Sequence, residues 1–132
     1  MKIILDSDFL ISLRHPDQST HLEAKKIFKK IKKQFDPILF CLNLCIQETA
    51  TVISHKYSQK QAVDFYKSTL TNSPNIINLD PKLESLTWKI FLKQTKKNIS
   101  FIDCANLVAI KHYNLDKIFS FDKFYPKTLR LC

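Results

Sequence analysis

Apolar residues along the chain fall into two kinds of run. Short, bunched runs at Lys2–Leu5, Ile38–Leu42, Asn75–Leu79 and Lys117–Phe121 predict strands, and Thr128–Leu131 is a fifth candidate. None alternates cleanly between apolar and polar residues, so both faces of each are expected to be covered, as in a parallel sheet. The other runs repeat every three or four residues and predict helices. Thr20 and Glu23 have the spacing of a capping box ahead of Ala24, Ile27, Phe28, Ile31 and Phe35, and Ser100 and Asp103 repeat it ahead of Ile102, Ala105, Leu107, Val108 and Ala109. Leu44–His55, Ser58–Leu70 and Lys82–Lys96 are further helices, with Pro74 and Pro81 marking junctions. Strands alternating with helices predict an α/β layered fold in which a central, mostly parallel sheet of four or five strands is flanked by helices. No repeat or low-complexity linker divides residues 1–132, which read as a single domain. Asn114 stands before the fourth strand, where a left-handed residue is needed to close a helix.

Composition narrows the function classes. The chain has no glycine, which removes the phosphate loops that need backbone without a Cβ close to the ligand. Cys41, Cys45, Cys104 and Cys132 form no CxxC pair and there is no HxxxH, so a zinc site is set aside and the thiols read as reduced. His15, His21, His55 and His112 show no pairing suited to acid–base catalysis. No apolar run is long enough to cross a bilayer, and Asp6 and Asp8 interrupt what would be the core of a secretory signal, so the expected compartment is the cytoplasm. With 21 Lys and Arg against 12 Asp and Glu the net charge is +9, which favours polyanionic partners, nucleic acid first.

Candidate chemistry lies in the acids. Sites in parallel α/β sheets form beyond the carboxyl ends of the strands. Asp6 and Asp8 follow the first strand, Glu48 lies early in the helix after the second, Asp103 opens the helix before the fourth, and Asp122 follows the fourth. Each has an ordinary reading too. Asp6 or Ser7 can cap a helix, Glu48 can be a solvated helical residue, Asp103 can be the capping-box partner, and Asp122 can form a turn. Their joint placement is what points to a site.

In this order and these settings, IILDSDFLIS, the helix with Glu48, SFIDCANLVAI and FSFDKFY resemble the PIN-domain ribonucleases found as VapC-like toxins of type II toxin–antitoxin pairs. The resemblance spans nearly the whole chain. It implies a PIN-like three-layer fold and puts Asp6, Glu48, Asp103 and Asp122 in the roles of catalytic and metal-coordinating residues, with Ser120 where Thr or Ser is usual. Asp8 stands where the family often has a small or polar residue, and Asn114 stands at a place where glycine is common. The resemblance further implies endonucleolytic cleavage of RNA to a 5′-phosphate and a 3′-hydroxyl, a cognate antitoxin lying over the acidic pocket, and a homodimer built on helical surfaces.

The chemistry suits such residues. Phosphodiester hydrolysis needs a positioned water and neutralised phosphoryl oxygens, and Mg²⁺ or Mn²⁺ held by oxygen ligands supplies both. Carboxylates clustered without metal repel one another, and a cation relieves that. Ser7, Asp8, Ser120, Asn106 and Lys123 are accessory candidates that can bind phosphate or orient a ligand. For substrate capture, Lys25, Lys26, Lys29, Lys30, Lys32 and Lys33 crowd one helix and read as its solvated face. Lys89, Lys93, Lys96, Lys97, Lys111, Lys123 and Lys127 are the other basic candidates.

Two alternatives belong to other classes. The DxD after an apolar strand also opens haloacid-dehalogenase-like phosphatases, with Asp6 as nucleophile and Asp8 as acid–base. Against that stand the short chain, Phe9 and Leu10 after the motif, and a Glu48 with no role. The second alternative is a non-catalytic basic module that binds RNA or protein by charge alone.

Overall fold

The computed structural model describes residues 1–71 and 74–132. Its elements run β1 (Lys2–Leu5), α1 (Ser7–Arg14), α2 (His21–Phe35), β2 (Ile38–Leu42), α3 (Asn43–Lys56), α4 (Gln59–Thr71), β3 (Asn75–Ile77), α5 (Pro81–Phe91), α6 (Phe101–His112) and β4 (Lys117–Phe119). The strands form one sheet in the order β3-β2-β1-β4, with every pairing parallel. Parallel pairing aligns all four carboxyl ends along one edge. The chain steps from β1 outward to β2 and β3, then returns across the sheet to β4, so the strand order reverses between β1 and β4. A crevice at such a reversal is where ligands bind in open α/β sheets.

Residue alternation sorts the core into two sides. Ile4 and Ile118 pack with Ile53, Ala105 and Ala109, whereas Ile3, Leu5 and Phe119 pack with Phe9, Ala24 and Ile31. Ile3, Ile4, Ile118 and Phe119 are all fully buried, as expected for strands covered on both faces. Phe9 of α1 stacks on Phe119 with ring centroids 4.4 Å apart, which ties the first helix to the last strand. Helices on both faces complete a three-layer α/β fold.

With no glycine available, short polar residues take the left-handed positions. Asp36 (φ 43°) ends α2, Asn98 (φ 67°) bends the α5–α6 loop, and Asn114 (φ 52°) follows α6 in the role its place in the sequence predicts.

Several expected boundaries differ. β4 stops at Phe119 and not Phe121, because the backbone beyond it bonds to side chains and leaves the ladder. β3 stops at Ile77 because the Leu79 N–H donates to Asn43 Oδ1 (3.1 Å). α5 runs from Pro81, capped by Asp80, to Phe91, shorter than Lys82–Lys96. The Thr128–Leu131 candidate is a single bridge, Ile118 to Arg130. The Ser100–Asp103 capping box forms, but the Thr20–Glu23 box does not. The Thr20 hydroxyl is engaged instead with Ser12 Oγ at 2.6 Å, joining α2 to α1.

Candidate active site

Asp6 is the first residue past β1, and its position follows from the strand itself. Three buried apolar residues end at a carboxylate whose own N–H still bonds to Phe119 O (3.0 Å), so Asp6 is held at the reversal between β1 and β4. It caps α1 by accepting the Ser7 N–H at Oδ1 (2.9 Å). Asn106 Nδ2 donates to the same oxygen (3.2 Å), and Ser120 Oγ donates to Oδ2 (2.7 Å). The carboxylate is thus oriented by three elements. Burial pushes its pKa from an ordinary 3.8 up to about 7, with the nearby charge of Asp8 and then Asp103 adding to the rise, against the hydrogen bonds from Ser120 and Ser7.

Asp8 lies in the first turn of α1 and reaches across to the segment after β4. Its Oδ2 accepts the Phe121 N–H (3.0 Å), with Ser120 Oγ at 3.4 Å, and its Oδ1 is buried without a hydrogen-bond partner. Burial raises its pKa to about 6, and Asp122 adds to the rise. Asp103 joins from the start of α6, where it serves the capping box through Oδ2 on the Ser100 N–H (2.9 Å). Burial, then the charges of Asp122 and Glu48, raises its pKa as well. Glu48 sits in the second turn of α3 and accepts the Ser7 hydroxyl at 2.6 Å. Asp122 accepts the Phe124 N–H (2.9 Å) and donates its own N–H to Ser120 Oγ (3.0 Å).

Asp6, Glu48, Asp103 and Asp122 are therefore brought to one region, and Asp8 with them. The ordinary readings hold at the same time: Asp6 caps, Asp103 boxes and Asp122 turns. Each of these roles uses part of a carboxylate, and the acids are still near enough for the charge of one to raise the pKa of another. Ser7, Asn106 and Ser120 are the hydrogen-bonding residues between them. Lys123 is exposed and lines a cleft beside Asp122.

Two residues of this region carry no signal in the sequence. The buried Tyr125 hydroxyl accepts from Asn106 (3.0 Å) and donates to Asp103 Oδ1 (3.4 Å). The buried Cys45 thiol lies 3.8 Å from Asp6 Oδ1. Only the fold brings them to the acids. His15 and His21, by contrast, do structural work: His15 stacks on Tyr57 at 3.8 Å between centroids, and His21 Nδ1 lies 2.7 Å from Ser12 O.

Among the described residues, no three His, Cys, Asp or Glu side chains are gathered closely enough to cage an ion as they stand. The donors fit a hard divalent cation in another way. All are carboxylate oxygens, one of them is buried and unpartnered, and their repulsion is the kind a cation relieves. Mg²⁺ binds through one or two carboxylates and keeps several waters, so a loose acidic ring suits it. Asp6, Glu48, Asp103 and Asp122 are the residues that could hold it, Asp122 partly through water, with Asp8 beside them.

The PIN domain family model matches residues 3–128, nearly the full length. The chain belongs to the PIN domain family. Membership supplants the haloacid-dehalogenase alternative. The PIN fold is also that of VapC20 of Mycobacterium tuberculosis, described as a sarcin–ricin-loop-cleaving toxin. The two superpose with a TM-score of 0.81 at 18% identity over 91% of this chain and 89% of the other. No curated protein matches the chain in sequence. No helix among the described residues is long and apolar enough to cross a membrane.

Proposed function

We propose that residues 1–132 are a single PIN domain acting as a metal-dependent endoribonuclease, the toxin of a toxin–antitoxin pair. The observation that carries this reading is the convergence of Asp6, Asp8, Glu48, Asp103 and Asp122, from four separate parts of the chain, at the β1–β4 reversal. A divalent cation bound there, Mg²⁺ or Mn²⁺, supplies charge neutralisation and an activated water. The chain's part is to hold the acids ready. Ser7, Asn106 and Ser120 fix both oxygens of Asp6 before any ligand arrives, so little reorganisation is left for the reaction. Ser7 links Asp6 to Glu48, and Tyr125 links Asn106 to Asp103, so hydrogen bonds connect three of the acids.

RNA as substrate is supported by the +9 net charge and by the activity in the description of VapC20. Cytoplasmic location, a cognate antitoxin over the acidic pocket and a homodimer complete the proposal. The test is cleavage of total cellular RNA by the unaltered chain and by Asp6→Asn, across a Mg²⁺ or Mn²⁺ titration and with EDTA. Cleavage that requires metal, leaves 5′-phosphate ends and disappears in Asp6→Asn is the expected result. Equal cleavage by both proteins refutes the assignment of Asp6. RNA binding that survives chelation, with no cleavage at millimolar metal, would make the chain a non-catalytic module.

A further inference from the structure

Beside Asp122 lies a cleft of about 520 Å³, formed between the loop joining α5 to α6 and the segment after β4. Lys93, Lys96 and Lys97 rim it from the loop, and Lys123 from the opposite side. All four are exposed. Among the described residues the one ion pair within 4.0 Å is Lys60 with Asp64, so the cleft lysines are not neutralised by neighbouring acids. The single acid on the cleft wall is Asp122, which is also within electrostatic reach of Asp8 and Asp103. The loop is anchored at both ends. Trp88 of α5 packs on Phe101 of α6 at 4.3 Å between centroids, and Asn98 turns the backbone back through its left-handed conformation.

Three unpaired cations on an anchored loop and a fourth facing them across the cleft, ending at a carboxylate of the candidate active site, select an extended anion. An acidic peptide has its charges matched by the lysines but meets repulsion at Asp122. A nucleic acid strand carries one regularly spaced charge per nucleotide, which four lysines can match in succession, and the +9 net charge of the chain favours it. We infer that this cleft is the track for the sugar–phosphate backbone of an RNA strand entering the acidic pocket, with Lys93, Lys96, Lys97 and Lys123 as its phosphate contacts. The inference deepens the nuclease reading and rests on it for the direction of the strand. Lysines are point charges that contact phosphate without reading bases, so the track supplies affinity and register rather than sequence preference.

The test separates the track from the nuclease reading by measuring binding apart from cleavage. A short fluorescent single-stranded RNA is titrated by anisotropy in EDTA over a range of KCl concentrations. The proteins are the unaltered chain, the cleft variant Lys93→Gln/Lys96→Gln/Lys97→Gln, and a helix variant Lys25→Gln/Lys29→Gln/Lys33→Gln on α2. Each phosphate contact on a single strand contributes a salt slope of about 0.7, so removing three lowers the slope by about 2 and the affinity by roughly 100-fold at about 0.1 M salt. The helix variant is expected to lose less than about threefold. In metal, the cleft variant is expected to raise KM with kcat nearly unchanged, the signature of lost binding common to ground and transition states. Equal losses from the two variants would overturn the track in favour of diffuse charge. Unchanged RNA affinity with lost binding of polyglutamate would overturn it in favour of an acidic protein partner. Should the unaltered chain cleave nothing while the cleft variant still loses RNA selectively, the track would stand and the nuclease reading would fall.

Discussion

Replacing Asp6 by Asn tests whether the acidic pocket is held together against its own charge. Burial and the neighbouring acids raise the Asp6 pKa from 3.8 to about 7, and at about 1.36 kcal/mol per pH unit the ionised form costs the fold on the order of 4 kcal/mol. The native state therefore holds a proton that the unfolded chain has already released between these two values. Stability is fully present below about pH 4, falls as pH rises through the window, and stays low above about 7. Asp8, raised to about 6, adds in the same direction. Asn keeps most of the geometry. Its oxygen can accept from Ser7 and Asn106, while its amide donates to Ser120 Oγ, which can then turn its own proton towards Asp8. The exchange gives up charge-assisted bonds for neutral ones, and that offsets about half of the gain.

The expected outcome at pH 8 in EDTA is a variant more stable by about 2 kcal/mol, a rise in Tm of roughly 5–10 °C. The gain should shrink to nothing near pH 4. Saturating Mg²⁺ or Mn²⁺ should stabilise the unaltered chain and not the variant, closing the gap. Urea denaturation at a series of pH values, with and without metal, measures all three effects. A variant that is less stable at pH 8, or a difference independent of pH, would refute the claim that Asp6 is an ionised group held at a cost. A gain in stability together with lost cleavage is the pattern of a site kept for function.

Tyr125→Phe keeps the buried ring and removes the hydroxyl between Asn106 and Asp103; it should cost about 1–2 kcal/mol in urea denaturation, and no change would mean that the linkage is idle. Asp8→Ala frees the Phe121 N–H and removes one repelling charge; RNA cleavage should fall by no more than about tenfold, whereas total loss would give Asp8 a direct part in the reaction. Phe9→Ala empties the stack on Phe119 and should destabilise the chain by about 3–5 kcal/mol by thermal denaturation, with a smaller cost indicating that the β1–β4 side of the core can collapse.

Much of this molecule was legible before any coordinates. The elements follow from apolar periodicity because buried faces must recur at the period of the backbone, and Asn114 and the Ser100–Asp103 box follow from local sterics and local hydrogen bonds. Thr20 shows where local reading stops. Its spacing to Glu23 is that of a capping box, yet a tertiary partner, Ser12, took its hydroxyl. Glu48, Asp103 and Asp122 could be placed near the carboxyl ends of the strands from the order of elements alone, and the PIN family match spans all three.

The sequence by itself determined which residues are apolar and at what spacing, hence the helices, the strands and the carboxyl-end positions of the acids. Only the tertiary structure decided how deeply Asp6 is buried, that Asp8 reaches the segment after β4, and that Tyr125 and Cys45 border the pocket. The same holds for the meeting of the 93–97 lysines with Asp122, which are far apart along the chain. Periodicity is a property of neighbouring residues, whereas desolvation and electrostatic repulsion depend on distances that exist only after the sheet has closed.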